Sequence, residues 1–108
     1  MDLDRFERLL EQGQDNAMLR LTLGQGYLRN GDPAAAARHL ARAVEHDREY
    51  SAAWKLYGRA LAESGEKEKA AAVYREGIEV AEAKGDKQAV KEMQVFLKKI
   101  DKQKQDRS

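Results

Sequence analysis

The chain has 108 residues, of which 42% are hydrophobic and 36% are charged, and its formal net charge at pH 7 is +1. This apolar share is too high for a disordered chain, and the near balance of charges gives no global field that would attract nucleic acid. The absence of cysteine excludes disulfides and thiolate metal sites. With one proline and few β-branched residues, the composition favours a single all-helical domain.

The termini give no sign of membrane targeting. No apolar run approaches the length of a membrane span, and the first ten residues, MDLDRFERLL, are charged from the second residue onward. We therefore expect a cytoplasmic protein that does not contact membranes.

Six helices are predicted from the spacing of the apolar residues and from the turn signals between them. Their approximate ranges are 2–12, 16–30, 33–47, 50–63, 66–84 and 86–103. The clearest boundary is the sequence NGDP, in which Gly31 ends one helix, Asp32 caps the next and Pro33 occupies its first position.

The last predicted helix carries its apolar residues in one continuous stripe. They are Ala89, Val90, Met93, Phe96, Leu97 and Ile100. A helix with one apolar and one polar face is suited to close the end of a helical stack.

Two stretches of the chain match each other at a fixed offset of 34 residues. Between residues 20–36 and 54–70 the matched pairs are Leu23 with Tyr57, Gly24 with Gly58, Tyr27 with Leu61, Gly31 with Gly65 and Ala36 with Ala70. A fixed period of this length indicates a stack of two-helix units.

These residues give the chain a family resemblance. The second copy contains Trp54, Tyr57, Gly58, Leu61, Ala70 and Tyr74, and the first contains Leu23, Gly24, Tyr27, Ala36 and Leu40. At this spacing the pattern resembles that of tetratricopeptide repeat (TPR) proteins. The resemblance implies an all-α, right-handed superhelical stack of antiparallel helix pairs.

The resemblance divides a single domain, 1–108, into a half repeat, two full repeats and a cap. The parts are an N-terminal helix at 1–14, repeat 1 at 17–50, repeat 2 at 51–84, a capping helix at 86–104 and a frayed tail at 105–108.

Three positions depart from the family pattern. Arg20 stands where an aromatic residue is usual, which predicts a looser contact at the start of repeat 1. Arg48 and Glu82 stand where proline is usual, which predicts helices longer than the family norm.

Gly58 and Gly24 are costly inside helices, where glycine is about 1 kcal/mol less favourable than alanine. We expect each to lie where the two helices of its repeat approach most closely, with Ala36 and Ala70 as the small surface opposite.

The sequence offers little for catalysis. His39 and His46 lie two helical turns apart, too far to hold one metal ion alone, and are interpreted as surface residues. The basic C-terminal segment lacks interleaved aromatic residues for base stacking. We therefore expect no enzyme activity, no cofactor, no metal and no nucleic-acid binding.

The resemblance implies that the first helix of each repeat lines a concave groove. The implied groove positions are Met18, Leu21, Gln25, Leu28, Arg29, Ala52, Lys55, Arg59, Ala62 and Glu63. Independently, the second helix carries a spare apolar stripe at Met18, Leu21 and Leu28, which either another helix or a partner must cover.

Two groove positions favour an acidic ligand. Lys55 and Arg59 project together one turn apart, and Lys55 has no acid at helical-neighbour spacing, so the pair is able to receive a carboxylate. Ordinary solvated charges, with Glu63 partly occupying Arg59, are the alternative. The third helix expected to contribute to the groove, at 86–103, offers Ala89 and Met93 there, so a multi-residue carboxylate clamp is not predicted.

These observations predict a non-catalytic interaction module that binds an amphipathic peptide or helix of a partner protein in the groove. The alternative is a structural protein that forms a homodimer through the spare apolar stripe or the capping helix.

Overall fold

The computed structural model describes residues 2–106, and within them the chain is a stack of six α-helices without strands. The helices are α1 Leu3–Glu11, α2 Ala17–Arg29, α3 Pro33–His46, α4 Ser51–Glu63, α5 Lys67–Lys84 and α6 Lys87–Asp106. The all-α class, the helix count and the TPR-like stack are confirmed.

Side-chain caps and left-handed glycines set the helix boundaries. Asn16 Oδ1 accepts a hydrogen bond from the Leu19 amide at 2.8 Å, and Asp32 Oδ1 accepts one from the Ala35 amide at 3.1 Å. Gly31 and Gly65 follow α2 and α4 with φ of +78° and +86°, a conformation that other residues rarely adopt. The left-handed glycines therefore repeat with the 34-residue period of the core, whereas Tyr50 and Glu66, at the N-caps of α4 and α5, make no side-chain cap hydrogen bond.

The missing prolines affect the two repeats differently. α5 continues through Glu82 to Lys84, as predicted, whereas α3 ends at His46, before Arg48 is reached. The extra length of α5 gives α6 a longer surface to pack against.

The tail prediction is wrong within the described residues. α6 continues to Asp106, so residues 105 and 106 are helical rather than frayed; residues 107 and 108 lie outside the described part. Ile100, which is only 4% exposed, anchors the last turns of the helix to the core. The lysine and glutamine residues that follow are good helix formers and contain no breaker.

The helices form two layers. The backbone of α4 lies close to those of both α2 and α6, whereas the backbones of α3 and α5 do not approach each other closely among the described residues. The layer of α2, α4 and α6 is therefore the tighter, inner one, and its exposed side is the concave face. The layer of α1, α3 and α5 is the outer one.

Gly24 and Gly58 lie where the two helices of their repeats approach closely. A Cβ atom on Gly24 would stand 2.5 Å from Leu40 Cγ, and one on Gly58 would stand 2.3 Å from Tyr74 Cε1. The predicted close approach is confirmed, but the surface opposite consists of these large side chains rather than of Ala36 or Ala70. Each glycine forms a notch that receives a large side chain, which is ridge-into-groove packing.

The core is concentrated in repeat 2 and its neighbours. The largest fully buried side chains are Trp54, Tyr74, Leu23, Leu40, Leu61 and Met93. By contrast, α1 has no buried residue, and among the described helices its backbone approaches only that of α2 closely. The N-terminal helix is therefore held less firmly by apolar packing than the rest of the stack.

Candidate functional site

A small crevice on the concave face runs between α2 and α4. This α2–α4 crevice has a volume of about 150 Å³ and is lined by Gln25, Leu28, Arg29, Leu56 and Arg59. Four of these five residues are predicted groove positions, and Leu56 was missed because its position is not a groove position of the family pattern. The structure thus brings the two repeats together at one shared surface.

Most of the spare apolar stripe of α2 is buried within the protein. Leu28 is 9% exposed and belongs to the core, and Leu21 is half-buried against it. Met18 remains 70% exposed. Neither Met18 nor Leu21 lines the α2–α4 crevice.

Lys55 has an ion-pair partner that the sequence did not reveal. Its Nζ lies 2.7 Å from Glu92 Oε2 on α6, and Glu92 also accepts a hydrogen bond from Gln88 Nε2 at 3.2 Å. The hydrogen bond from Lys55 is the main cause that lowers the pKa of the Glu92 carboxyl. α6 therefore already supplies a carboxylate to Lys55, and an acidic ligand group at this position would compete with Glu92.

Arg59 is also paired, as anticipated. Its Nε donates to Glu63 Oε2 at 2.7 Å, one helical turn further along α4. Both side chains are about half exposed, so the pair contributes only a few tenths of a kcal/mol. Arg59 lines both the α2–α4 crevice and a larger one beside it.

The larger crevice lies where α4, the start of α5 and α6 meet. This α4–α6 crevice has a volume of about 480 Å³. Its lining residues are Arg59, Ala62, Glu63, Lys67, Tyr74, Phe96, Lys99, Ile100 and Gln103. The predicted groove residues Arg59, Ala62 and Glu63 meet there with a side of α6 that the repeat pattern did not predict.

The orientation of α6 explains this difference. Ala89 and Met93, the expected groove positions, are 7% and 0% exposed and belong to the core. Glu92 and Phe96 instead lie beside α4. Ala89 and Met93 of the apolar stripe pack into the core at the end of the stack, and the stripe residue Phe96 and the polar Glu92 therefore lie next to α4.

A polar network connects α1, α2 and α3 away from the crevices. His39 is only 14% exposed at its side chain, so its interpretation as a surface residue is wrong. Its ring stacks on Tyr27 at a centroid distance of 5.4 Å, and its Nε2 lies 3.0 Å from Glu7 Oε1. The Tyr27 hydroxyl donates to the same Glu7 oxygen at 2.8 Å, so Glu7 attaches α1 to both neighbouring helices.

Arg20 completes this network and is firmly held. Its guanidinium donates to both carboxylate oxygens of Asp15 at 2.8 Å, and Nη1 lies 3.0 Å from His39 Nδ1. Because arginine only donates, His39 Nδ1 accepts and its Nε2–H donates to Glu7. His46 Nε2 also lies 3.0 Å from Asp15 Oδ1. The predicted loose contact at Arg20 is therefore wrong, since ion pairing replaces the aromatic contact.

Two pKa values in the network are displaced. Burial is the main cause that lowers the pKa of His39, and the hydrogen bond from Arg20 lowers the pKa of Asp15 well below its usual range. These shifts have structural causes. Within residues 2–106, no group of three or more His, Asp or Glu side chains is arranged to hold a metal ion, and no helix is long and apolar enough to cross a membrane.

The period of 34 residues, the two layers and the glycine notches define a helical-repeat protein. The tetratricopeptide repeat family model matches residues 21–87, and the chain belongs to this family. Members generally act as protein–protein interaction modules and are typically non-catalytic. Over 102 residues, the chain is 48% identical to the TPR repeat-containing protein PA0015 of Pseudomonas aeruginosa, covering 94% of this chain and 97% of that protein.

Two solved structures have a similar fold. Protein BPP2914 of Bordetella parapertussis superposes with a TM-score of 0.81 and 39% identity, covering 95% of this chain and 90% of that one. A tetratricopeptide repeat domain protein of Salinibacter ruber superposes with a TM-score of 0.72 at 24% identity, covering 80% of this chain and 97% of that one. The second likeness supports the fold alone.

Proposed function

We propose that this chain is a non-catalytic module that binds a peptide or helix of a partner protein along its concave face. The observation that carries the proposal is the pair of adjacent crevices across α2, α4 and α6, which share Arg59. A surface that crosses several rigid helices offers a long, pre-formed track for an extended or helical ligand.

The ion pairs on the concave face favour selective binding over nonspecific binding. Lys55 pairs with Glu92, and Arg59 pairs with Glu63. A ligand must compete with or complement these pairs, so partners with unsuitable charges are disfavoured. The half-buried apolar side chains Leu56 and Phe96, which line the two crevices, supply the affinity.

The test is affinity capture from a lysate of the native cells with three baits. The wild-type chain is compared with a groove variant, Gln25→Glu with Arg29→Glu, and with an outer variant, Arg38→Glu with Ala72→Glu. Both variants carry the same change in net charge, and all substituted side chains except the half-buried Gln25 are exposed. We expect proteins retained by wild type and by the outer variant to be lost by the groove variant. Equal losses in both variants, or equal retention, would contradict binding on the concave face.

Self-association is the second candidate function. Met18 on α2 and Val95 on α6 are large apolar side chains that remain 70% and 53% exposed. A dimer would cover such side chains. Light scattering of the purified chain decides between the two: a monomer at high concentration supports the interaction module, and a dimer that Met18→Glu or Val95→Glu dissociates supports self-association.

A further inference from the structure

The α4–α6 crevice has an apolar floor that is suited to hold a side chain. Tyr74 and Phe96 stack with ring centroids 5.8 Å apart, and Ala62 and Ile100 complete the floor. Its volume of about 480 Å³ lies within the range of sites that enclose small ligands or anchor residues. Tyr74 is 2% exposed and belongs to the core, so this floor is rigid.

The rim of the same crevice is positively charged. It carries Arg59, Lys67 and Lys99 against one acid, Glu63. Glu63 forms an ion pair with Arg59, whereas Lys67 has no ion pair among the described residues. Lys99 makes a cation–π contact, with its Nζ 5.9 Å from the centre of the Phe96 ring, and no ion pair within residues 2–106. Two ammonium groups on the rim are therefore free to meet a carboxylate.

The arrangement of floor and rim constrains the chemistry of the ligand. Lys99 lies over a ring of the floor, so a positive charge and an apolar surface are adjacent. A ligand that fills the floor with an apolar side chain would bring its neighbouring residues to the rim. A carboxylate there would make charge-assisted hydrogen bonds with the two lysines, and a basic group would be repelled.

We propose that the α4–α6 crevice is the anchor pocket for a partner segment in which an aliphatic or aromatic side chain stands next to acidic residues. This inference rests on the proposed function and deepens it, because it names the occupant. It also moves the acid-binding position from Lys55, which Glu92 occupies, to Lys67 and Lys99.

The experiment is a selection from a phage-displayed library of random dodecapeptides against the wild-type chain. Enriched peptides are synthesised, and their dissociation constants are measured by fluorescence anisotropy. Three variants are compared with wild type: a pocket variant, Lys67→Glu with Lys99→Glu; a matched variant on α6, Lys91→Glu with Lys98→Glu; and the groove variant at residues 25 and 29. Circular dichroism verifies that each variant is folded.

We expect the enriched peptides to share an apolar residue beside Asp or Glu. The pocket variant should weaken binding at least about tenfold, and the matched variant should weaken it far less, since charges outside the contact matter little at physiological salt. Replacing the apolar residue or the acids of the peptide by alanine should each weaken binding to wild type.

The contrary outcomes are distinguishable. Peptides that bind the pocket variant as well as wild type but are lost by the groove variant would overturn the pocket and leave groove binding intact. Peptides unaffected by either variant would place binding off the concave face and contradict the proposed function too. Enrichment of no peptide, or a wild-type dimer that the pocket variant dissociates, would also overturn the proposal, the latter by making a second copy the occupant.

Discussion

Replacing Gly58 by alanine tests the close approach of α4 and α5. The new Cβ would lie 2.3 Å from Tyr74 Cε1 and 2.6 Å from Cδ1 and Cζ, whereas ordinary contact begins at 3.4 Å. The obstacle is a rigid ring that is 2% exposed and stacked on Phe96. The helices must therefore separate by roughly 1 Å, because the ring has little room to rotate away.

Two opposing terms set the expected magnitude. Alanine gains about 1 kcal/mol over glycine from helix propensity. Overpacking of a core costs about 1–3 kcal/mol and occasionally more, and a rigid aromatic neighbour places this site at or above the upper end. We therefore expect Gly58→Ala to lower the free energy of unfolding by about 2 kcal/mol.

The assay is urea denaturation followed by far-UV circular dichroism, with two controls. Ala72→Gly on the exposed face of α5 measures the propensity term alone and should cost about 1 kcal/mol. In a Tyr74→Leu background, which removes the ring, the penalty of Gly58→Ala should shrink. If Gly58→Ala instead raises stability by the propensity gain, the close approach is refuted.

Three further predictions concern the polar contacts. Burial lowers the pKa of His39 from 6.5, and Arg20 lowers that of Asp15 from 3.8. As the pH falls, the unfolded chain therefore takes up these protons at a higher pH than the folded chain does. Unfolding free energies should therefore fall as the pH drops below about 6.5, and His39→Gln should flatten the upper part of this decline in urea titrations. Glu7→Ala removes the acceptor that ties α1 to α2 and α3, so amide hydrogen exchange should accelerate severalfold in α1 and stay unchanged in α5. Lys55→Met with Glu92→Gln should change the unfolding free energy by less than about 0.5 kcal/mol, because both charges are about one-third exposed.

The repeat core was predictable from sequence for a physical reason. Helix packing needs a notch at the same place in each two-helix unit, so Gly24 and Gly58 recur at a fixed offset, and the turn glycines recur with them. Capping residues are equally local signals, as Asn16 and Asp32 illustrate. The residue types opposite the glycines were not predictable, because the facing atoms depend on the crossing geometry of two helices.

The polar contacts between repeats were not predictable in the same way. Lys55 and Glu92 are 37 residues apart, and Glu7 and His39 are 32 residues apart. Neither pair follows a helical or repeat period, so only the three-dimensional stack brings them together. The rotation of α6 escaped prediction because the helix has lost the repeat signature that would fix its register.

Binding of partner proteins on the concave face is best examined by NMR. The isotope-labelled chain is titrated with a captured partner or an enriched peptide, and its amide signals are followed. We predict that the signals that move lie in α2, α4 and α6, with the largest shifts around Arg59 and Phe96. Shifts confined to α1, α3 and α5 would contradict binding on the concave face.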